Sequence, residues 1–229
     1  MKTTLCLVLL CALAPFQDAF GAVCDNAERP LEPSRATSLL AAVQEQYSKT
    51  DSFTAKFTQS SFLESLSVSE TSEGMVSYLR PGKMRWEYVS PEKQIFVFRE
   101  STYWFYQPLD NQVVIDNAGE LFLTDLPLSF LLGVGSLSES FSVSRGCVLG
   151  EDVALELEGK AGALHENLKR FVLHVTEKTN FPSGADVVDV SGNKTSIRLS
   201  DIDRDVSFTD DPFEIAFPSG VDIQDRRKG

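Results

Sequence analysis

The sequence predicts a mainly β protein: one curved antiparallel sheet of about ten strands, with a helix before it and another inserted near its middle. Two observations support this fold class. Short runs of alternating apolar and polar residues recur along the chain, each bounded by Gly, Pro, Asn or Asp, which is typical of a meander of hairpins. The 229 residues contain neither a repeat of fixed period nor an interdomain linker, so one domain is expected.

The composition allows a packed core and argues against one class of partner. Hydrophobic residues make up 42% and charged residues 24% of the chain. The formal net charge is -12, from 33 acidic and 21 basic residues. Nucleic acid is not expected as a partner, because phosphate binding requires concentrated Lys and Arg. The acidic surface either serves solubility or meets a basic partner, and both interpretations stay open.

The first 21 residues have the pattern of a secretory signal peptide. Lys2 supplies the positive start, and residues 5–14 form an apolar run that is too short to span a bilayer. Ala19 and Gly21 place small residues three and one positions before a cut after Gly21. The sequence therefore predicts a signal at 1–21 and a single exported domain at 22–229.

Cleavage would leave two of the four cysteines, Cys24 and Cys147. In an oxidising compartment they can form one disulfide, with two unpaired thiols as the alternative. A lipoprotein signal would place a small residue immediately before Cys24 and typically Leu three positions before it. The residues there are Val23 and Gly21, so a lipid anchor on Cys24 is not expected.

The first elements of the mature chain are a helix and a strand. Residues 33–47 start with Pro33 and Ser34, which suit a helix N-terminus, and continue with apolar residues at helical spacing. The next run, 52–62, alternates in the manner of a strand, with Phe53, Ala55 and Phe57 on one face.

Eleven further strands and one helix follow. Residues 121–133 are apolar almost throughout, contain Pro127 and end at Gly133, which predicts a short kinked helix. The strands are predicted at 73–79, 83–88, 94–99, 102–107, 112–116, 140–146, 153–159, 167–175, 184–190, 195–202 and 212–218.

No pattern of residues indicates catalysis, a metal site or a cofactor. The chain has two histidines, His165 and His174, and neither lies in a nucleophile, phosphate-loop or metalloprotease motif. The alternating acids at 201–205 lack the Gly and terminal Glu of a calcium loop. An enzyme is therefore not expected.

Aromatic residues are concentrated between Tyr78 and Tyr106, a block that contains both tryptophans. Alternation places Met84, Trp86 and Tyr88 on one face of a strand and the charged residues 83, 85 and 87 on the other, solvent side. The apolar faces either fill a core or line a cavity beneath the inserted helix. The candidate cavity residues are Met84, Trp86, Tyr88, Phe96, Phe98, Trp104 and Tyr106, and the candidate lid residues are Leu126, Leu128, Phe130 and Leu131.

The motifs "SFTAKFTQ" at 52–59 and "EGMVSYLRPGKMRWEY" at 73–88, with "TYWFYQP" at 102–108, resemble the family of periplasmic outer-membrane lipoprotein carriers, LolA. The likeness runs from about Ser52 to Gly229. It implies an unclosed antiparallel β-barrel with helices as a lid over an apolar cavity. The lid-locking arginine of the family precedes Pro, which is Arg80 here. Met84 departs from the Phe that many members have.

The resemblance also implies a function. A monomer in the periplasm would bind lipoprotein acyl chains, receiving them from the inner-membrane LolCDE transporter and delivering them to the outer-membrane receptor LolB. The alternatives are a LolB-like receptor or a carrier of other lipids on the same fold. An exported lipid-modifying enzyme would need a nucleophile and base, and a structural module would have a solid core.

Overall fold

The computed structural model describes residues 23–25, 29–117, 137–160 and 168–227. These residues form two helices, α1 (Pro33–Lys49) and α2 (Leu137–Ser140), and twelve strands. In the first half of the chain the strands are β1 (Ser52–Leu63), β2 (Val68–Leu79), β3 (Lys83–Ser90), β4 (Gln94–Arg99), β5 (Thr102–Gln107) and β6 (Gln112–Asn117). In the second half they are β7 (Phe141–Leu149), β8 (Asp152–Gly159), β9 (Leu168–Thr176), β10 (Phe181–Asp189), β11 (Lys194–Arg204) and β12 (Asp222–Asp225).

All twelve strands belong to one sheet, in the order β12-β6-β5-β4-β3-β2-β1-β11-β10-β9-β8-β7. Neighbours pair antiparallel except β12 and β6, which are parallel. The terminal strands β12 and β7 do not pair with each other, so the sheet is not closed. The predicted fold class, a mainly β protein with an unclosed and almost wholly antiparallel sheet, is confirmed.

Helix α1 packs across one face of this sheet, which we call the inner face. Pro33 lies in its first turn, where the missing N–H is not needed, and Lys49 lies in its last turn, where a cation is favourable. Ala36, Leu40 and Val43 recur at helical spacing and pack against the apolar residues of β7–β10. The helix therefore covers the second half of the sheet, while its last buried residue, Tyr47, contacts the first half.

The opposite face, the outer face, is covered by two irregular segments. Phe213, in the segment that follows β11, is buried against Ile95 and Val97 of β4. Residues 23–25 lie against β7–β9, where Cys24 forms a disulfide with the fully buried Cys147. Of the two alternatives for these cysteines, the structure has the disulfide.

The predicted strands differ from the structure most at two places, and strand β12 is absent from the prediction. Strand β2 begins at Val68, five residues before the predicted start, because Ser69–Ser72 pair with β1 through backbone groups although their side chains are polar. The predicted strand at 212–218 is wrong, since this segment is irregular. It lies on the outer face, and its apolar residues pack against the sheet instead of joining it.

The predicted signal, 1–21, and the predicted helix at 121–133 lie outside the described residues. Within the described ranges, neither α1 nor α2 is long and apolar enough to cross a membrane.

Candidate functional site

The aromatic core of the inner face is built around Gly74 of β2. A Cβ at this position would meet the carbonyl oxygen of Glu87 and lie 2.7 Å from the ring of Phe57. Because Gly74 has no side chain, the Phe57 ring lies over it and reaches Trp86 and Tyr88, with ring centroids 4.6 and 4.8 Å away. The glycine thus allows three aromatic side chains to meet on one face.

Three of the predicted cavity residues are part of this packed core. Met84 and Trp86 have no exposed surface, and Phe98 is also buried. The indole N–H of Trp86 donates a hydrogen bond to the Met84 sulfur at 2.9 Å, which satisfies the one polar group of the pair. These side chains pack with Tyr47 of α1, so the core joins the helix to the sheet.

Tyr88 and Phe96 are half-buried and line a cavity of about 390 Å³ at one end of this core. The Tyr88 hydroxyl donates to the side-chain oxygen of Gln59 at 2.9 Å. Ile197 adds an apolar wall, and Ser72 a polar one. The cavity therefore has an apolar wall on the core side, but most of its lining is polar and includes Glu70 and Glu92. Such a lining suits a ligand with a polar part beside an apolar one.

Trp104 and Tyr106 do not belong to this cavity, and the prediction that they share it is wrong. In the β4–β5 hairpin Trp104 pairs with Val97 and Tyr106 with Ile95, so both lie on the outer face with Phe213. Trp104 instead lines a second cavity, of about 240 Å³, on that face. The alternation of apolar and polar residues shows which residues of one strand lie on the same face. It does not show whether that face is the inner or the outer face of the sheet.

The inner-face positions of β5 are Tyr103 and Phe105. Tyr103 pairs with Phe98, and the Phe105 ring stacks on Phe96 with centroids 4.1 Å apart. The two-residue turn between Arg99 and Thr102 sets this register. The sequence could have shown this register, because counting outward from the two-residue turn pairs Phe98 with Tyr103.

The charged face of β3 is only partly the solvent side that the sequence predicts. Lys83 forms an ion pair with Asp211 at 3.1 Å, and Arg85 donates to the carbonyl oxygen of Pro212 at 3.3 Å. Arg85 and Glu87 also bind each other at 2.9 Å. These side chains are half-buried because the segment after β11 passes over them, which no local pattern in β3 indicates.

Arg80, at the end of the β2–β3 hairpin, binds the C-terminal end of α1. Its Nη2 donates to the carbonyl oxygen of Tyr47 at 2.8 Å, and its Nε and Nη2 donate to that of Thr50 at 3.3 Å. A helix leaves its last carbonyls without intrahelical partners, so a guanidinium there satisfies them and favours the helix dipole. Arg80 therefore fixes the end of α1 that carries Tyr47 into the aromatic core.

The candidate lid residues Leu126, Leu128, Phe130 and Leu131 lie outside the described residues. The described part of the chain contains no group of three His, Cys, Asp or Glu side chains placed to hold a metal ion.

A sequence profile described as outer membrane lipoprotein carrier protein LolA matches residues 48–216, which include β1–β11 and Arg80. The chain belongs to the LolA family. Outer-membrane lipoprotein carrier proteins are among its relatives. The one from Nitrosomonas europaea is 27% identical over 194 residues, 85% of this chain and 90% of the relative. The one from Pseudomonas aeruginosa is 27% identical over 212 residues, 90% of this chain and 93% of the relative.

A solved structure agrees with the fold of this LolA-family chain. An uncharacterized conserved protein from Thermus thermophilus superposes with a TM-score of 0.55 at 16% sequence identity, covering 84% of this chain and 99% of that protein.

Proposed function

We propose that this protein is a carrier, and not an enzyme, that binds the acyl chains of lipoproteins in the periplasm. In this proposal it is exported after removal of residues 1–21 and acts as one domain, 22–229. It receives its cargo from an inner-membrane transporter of the LolCDE type and delivers it to an outer-membrane receptor of the LolB type. The observation that carries the proposal is the LolA-family match across an open sheet whose inner face is aromatic and opens into a cavity.

The size of the cavity indicates how cargo would enter. About 390 Å³ lies near the small end of the range for ligand pockets, about 300–1,000 Å³. Several acyl chains need more room, so the buried cluster that contains Met84, Trp86 and Phe98 has to open where Tyr47 of α1 packs against Phe53 and Tyr78. Binding is then coupled to opening of the core between α1 and the sheet.

The energies favour such a coupling. Burying one CH₂ contributes roughly 0.8 kcal/mol, so a sixteen-carbon chain contributes on the order of 10 kcal/mol. Three chains would exceed the practical limit of about 18–21 kcal/mol for non-covalent binding. A carrier that must release its cargo needs an opposing free energy, and the aromatic packing that re-forms on release supplies it.

Arg80 is the residue that we expect to control this step. Its hydrogen bonds to the carbonyls of Tyr47 and Thr50 hold α1 over the core. They therefore stabilise the packed arrangement relative to the opened one, and in our proposal Arg80 also locks the lid that the family resemblance implies. Loss of these bonds should favour the opened, cargo-retaining arrangement.

The test is a transfer assay with a purified triacylated lipoprotein. The Arg80→Leu variant is expected to bind the lipoprotein but to release it to a receptor at least tenfold more slowly than the wild type, since two or more charge-assisted bonds are lost. Arg99→Leu is the matched control, because Arg99 lies at the same end of the sheet as Arg80 but beside the outer-face Trp104, away from α1. Equal release by both variants would reject the role of Arg80, and failure of the wild type to bind would reject the carrier.

The disulfide supports a carrier over an anchored receptor on the same fold. A lipid-anchored receptor of this sequence would carry its lipid on Cys24, but that sulfur is bonded to Cys147. Cells grown with radioactive palmitate distinguish the two: the carrier remains unlabelled after denaturing extraction, whereas a labelled protein would indicate the receptor.

A further inference from the structure

The β1–β2 hairpin projects beyond its neighbour on one side. Strand β2 pairs with β1 along its whole length, from Val68 to Leu79, but it pairs with β3 only from Glu73 onward. Residues 68–72 therefore extend past the end of β3 by about 16 Å, at about 3.3 Å per residue. This projecting part forms a wall of the inner cavity, since Glu70 and Ser72 line the cavity together with Gln59 of β1.

The tip of the hairpin is apolar and exposed. The exposed fractions are 41% for Leu63, 67% for Leu66 and 54% for Val68, and Val190 in the adjoining β10–β11 turn is 60% exposed. The two turns are joined, because the Glu64 N–H donates to the side-chain oxygen of Asn193 at 3.1 Å. Of the nine large apolar side chains exposed among the described residues, four lie at this tip, so it is a cluster and not the usual scatter.

The inner face of the hairpin changes polarity twice along its length. Cross-strand pairs there run from the apolar Phe53–Tyr78 and Ala55–Val76 to a polar zone and end at the apolar pair Leu63–Val68. The polar zone consists of the pairs Gln59–Ser72 and Ser61–Glu70. An apolar tip, a polar band that borders the cavity and an apolar core follow one another in this order. A carrier resting on a bilayer would meet the acyl region with its tip and the headgroups with its polar band, and the cavity would lie at the membrane surface.

We propose that this apolar tip, Leu63, Leu66, Val68 and Val190, inserts reversibly into a lipid bilayer and places the cavity mouth at the membrane surface. The choice of a bilayer over a protein partner rests on the proposed function and on the shape of the tip. Four aliphatic side chains on a narrow hairpin offer far less than the roughly 800 Å² per partner of a stable protein interface, and they include no aromatic or arginine anchor. A few aliphatic side chains suffice for weak, reversible insertion.

The charges near the tip specify the kind of membrane. Glu64 lies within the tip turn and Glu70 and Glu73 follow on β2, against Lys194 beside the Phe62 ring, and the whole chain has a net charge of -12. Anionic headgroups would repel these carboxylates, and the tip is not a basic patch of the kind that recognises them. The tip therefore favours a neutral, zwitterionic surface.

The experiment is flotation of the full-length mature protein with vesicles of phosphatidylcholine. The wild type is expected to float with these vesicles, and replacing about a third of the lipid by phosphatidylglycerol at low salt should reduce the bound fraction several-fold. Leu66→Ser should lower partitioning about tenfold, because it removes the most exposed leucine of the tip. Leu149→Ser, at the last residue of β7 and the opposite end of the sheet, should leave the partitioning unchanged.

A fluorophore on Ser65→Cys supplies a second readout, since its emission should shift to the blue only when vesicles are present. Absence of flotation, or equal partitioning of Leu66→Ser and the wild type, would overturn the proposal. If the wild type does not bind vesicles but Leu66→Ser still loses cargo delivery, the membrane proposal is overturned, and the tip binds a protein partner instead. Lipoprotein binding without vesicles is measured in parallel: if it fails while flotation persists, the carrier function is rejected and the membrane contact stands.

Discussion

The buried carboxylate of Asp186 joins strands β9, β10 and β11 on the outer face through hydrogen bonds. Its Oδ2 lies 2.7 Å from His174 Nε2 and its Oδ1 accepts from Ser196 at 2.7 Å. Arg198 completes the network with bonds of 2.6 and 3.0 Å. Burial by itself raises the pKa of Asp186, but the hydrogen bonds from His174 and Arg198 outweigh it and lower the pKa to about 2. His174, one of the two histidines, thus has a structural role here.

This network predicts a specific dependence of stability on pH. Because the pKa of Asp186 is lower in the folded than in the unfolded protein, its stabilisation is fully present above the unfolded value of about 3.9 and is lost as the pH falls through about 2. Asp186→Asn should lower the free energy of unfolding at pH 7 by about 2–3 kcal/mol. The difference from the wild type should shrink between about pH 4 and pH 2.

Urea unfolding at a series of pH values measures both effects. Asp201→Asn is the control, since Asp201 forms only an exposed ion pair with Lys56 and should leave the midpoint unchanged. A constant difference between Asp186→Asn and the wild type from pH 7 to pH 2 would contradict the assignment.

Gly74 leads to a second prediction at the residue scale. Gly74→Ala should lower the free energy of unfolding by about 1–3 kcal/mol, because the new methyl group meets the Glu87 carbonyl and the Phe57 ring. Thermal unfolding checks this, with Thr71→Ala on the projecting part of the same strand as control. If the two variants have the same midpoint, the close approach of β3 to Gly74 is not needed.

At the scale of elements, the two edges of the open sheet are protected in different ways. Strand β12 has only four residues. At β7, the N–H of Leu31 donates to the Gly146 carbonyl at 2.8 Å and the N–H of Val148 donates to that of Arg29 at 3.0 Å. The segment before α1 thus occupies the hydrogen-bonding groups of part of the edge, which lowers the risk that another chain pairs there.

The disulfide holds that segment in place and should stabilise the fold. It closes a loop between positions 123 residues apart, and constraining an unfolded chain over such a loop contributes typically 2–4 kcal/mol. The double variant Cys24→Ser, Cys147→Ala should therefore unfold at a lower urea concentration, by about that free energy. Alanine at 147 keeps the buried site apolar.

Reduction of the wild type provides the control. A reducing agent should lower the wild-type midpoint toward that of the double variant and leave the double variant unchanged. An unchanged wild-type midpoint in reducing conditions would show that the bond contributes no stability.

At the scale of the whole molecule, the sheet separates two apolar surfaces with different neighbours. The inner face carries the core around Trp86 and the cavity lined by Tyr88 and Phe96. The outer face carries Trp104, whose cavity of about 240 Å³ is also lined by Phe213 and other residues of the segment after β11. The two tryptophans of the chain therefore report separately on the two faces.

This separation allows the location of bound acyl chains to be tested. A dibrominated fatty acid should quench the emission of Trp104→Phe, which retains Trp86, and have little effect on Trp86→Phe, which retains Trp104. Bromine quenches only at short range, and in our proposal the acyl chains enter the inner core. The unbrominated fatty acid is the control, and quenching confined to Trp86→Phe would move the cargo to the outer face.

The amino-acid sequence by itself determined the fold class, the first helix, the limits of β4 and β5 and the residues that share a face on each strand. The spacing of apolar residues and the identity of turn residues encode these features, and both are properties of a few neighbouring positions in the chain. The motif around Arg80-Pro81 also indicated the family, which the profile match bears out.

Only the tertiary structure decided which face of the sheet each group of residues occupies. Trp104 and Tyr106 lie outside and Phe105 inside because the pairing across the β4–β5 turn sets their side, and a shift of one residue would exchange them. Residues 212–218, which alternate like a strand, pack over β3 and β4 because the apolar surface there is covered by contacts distant in sequence. Local patterns carry no information about such partners, since burial depends on the surface that another part of the chain presents.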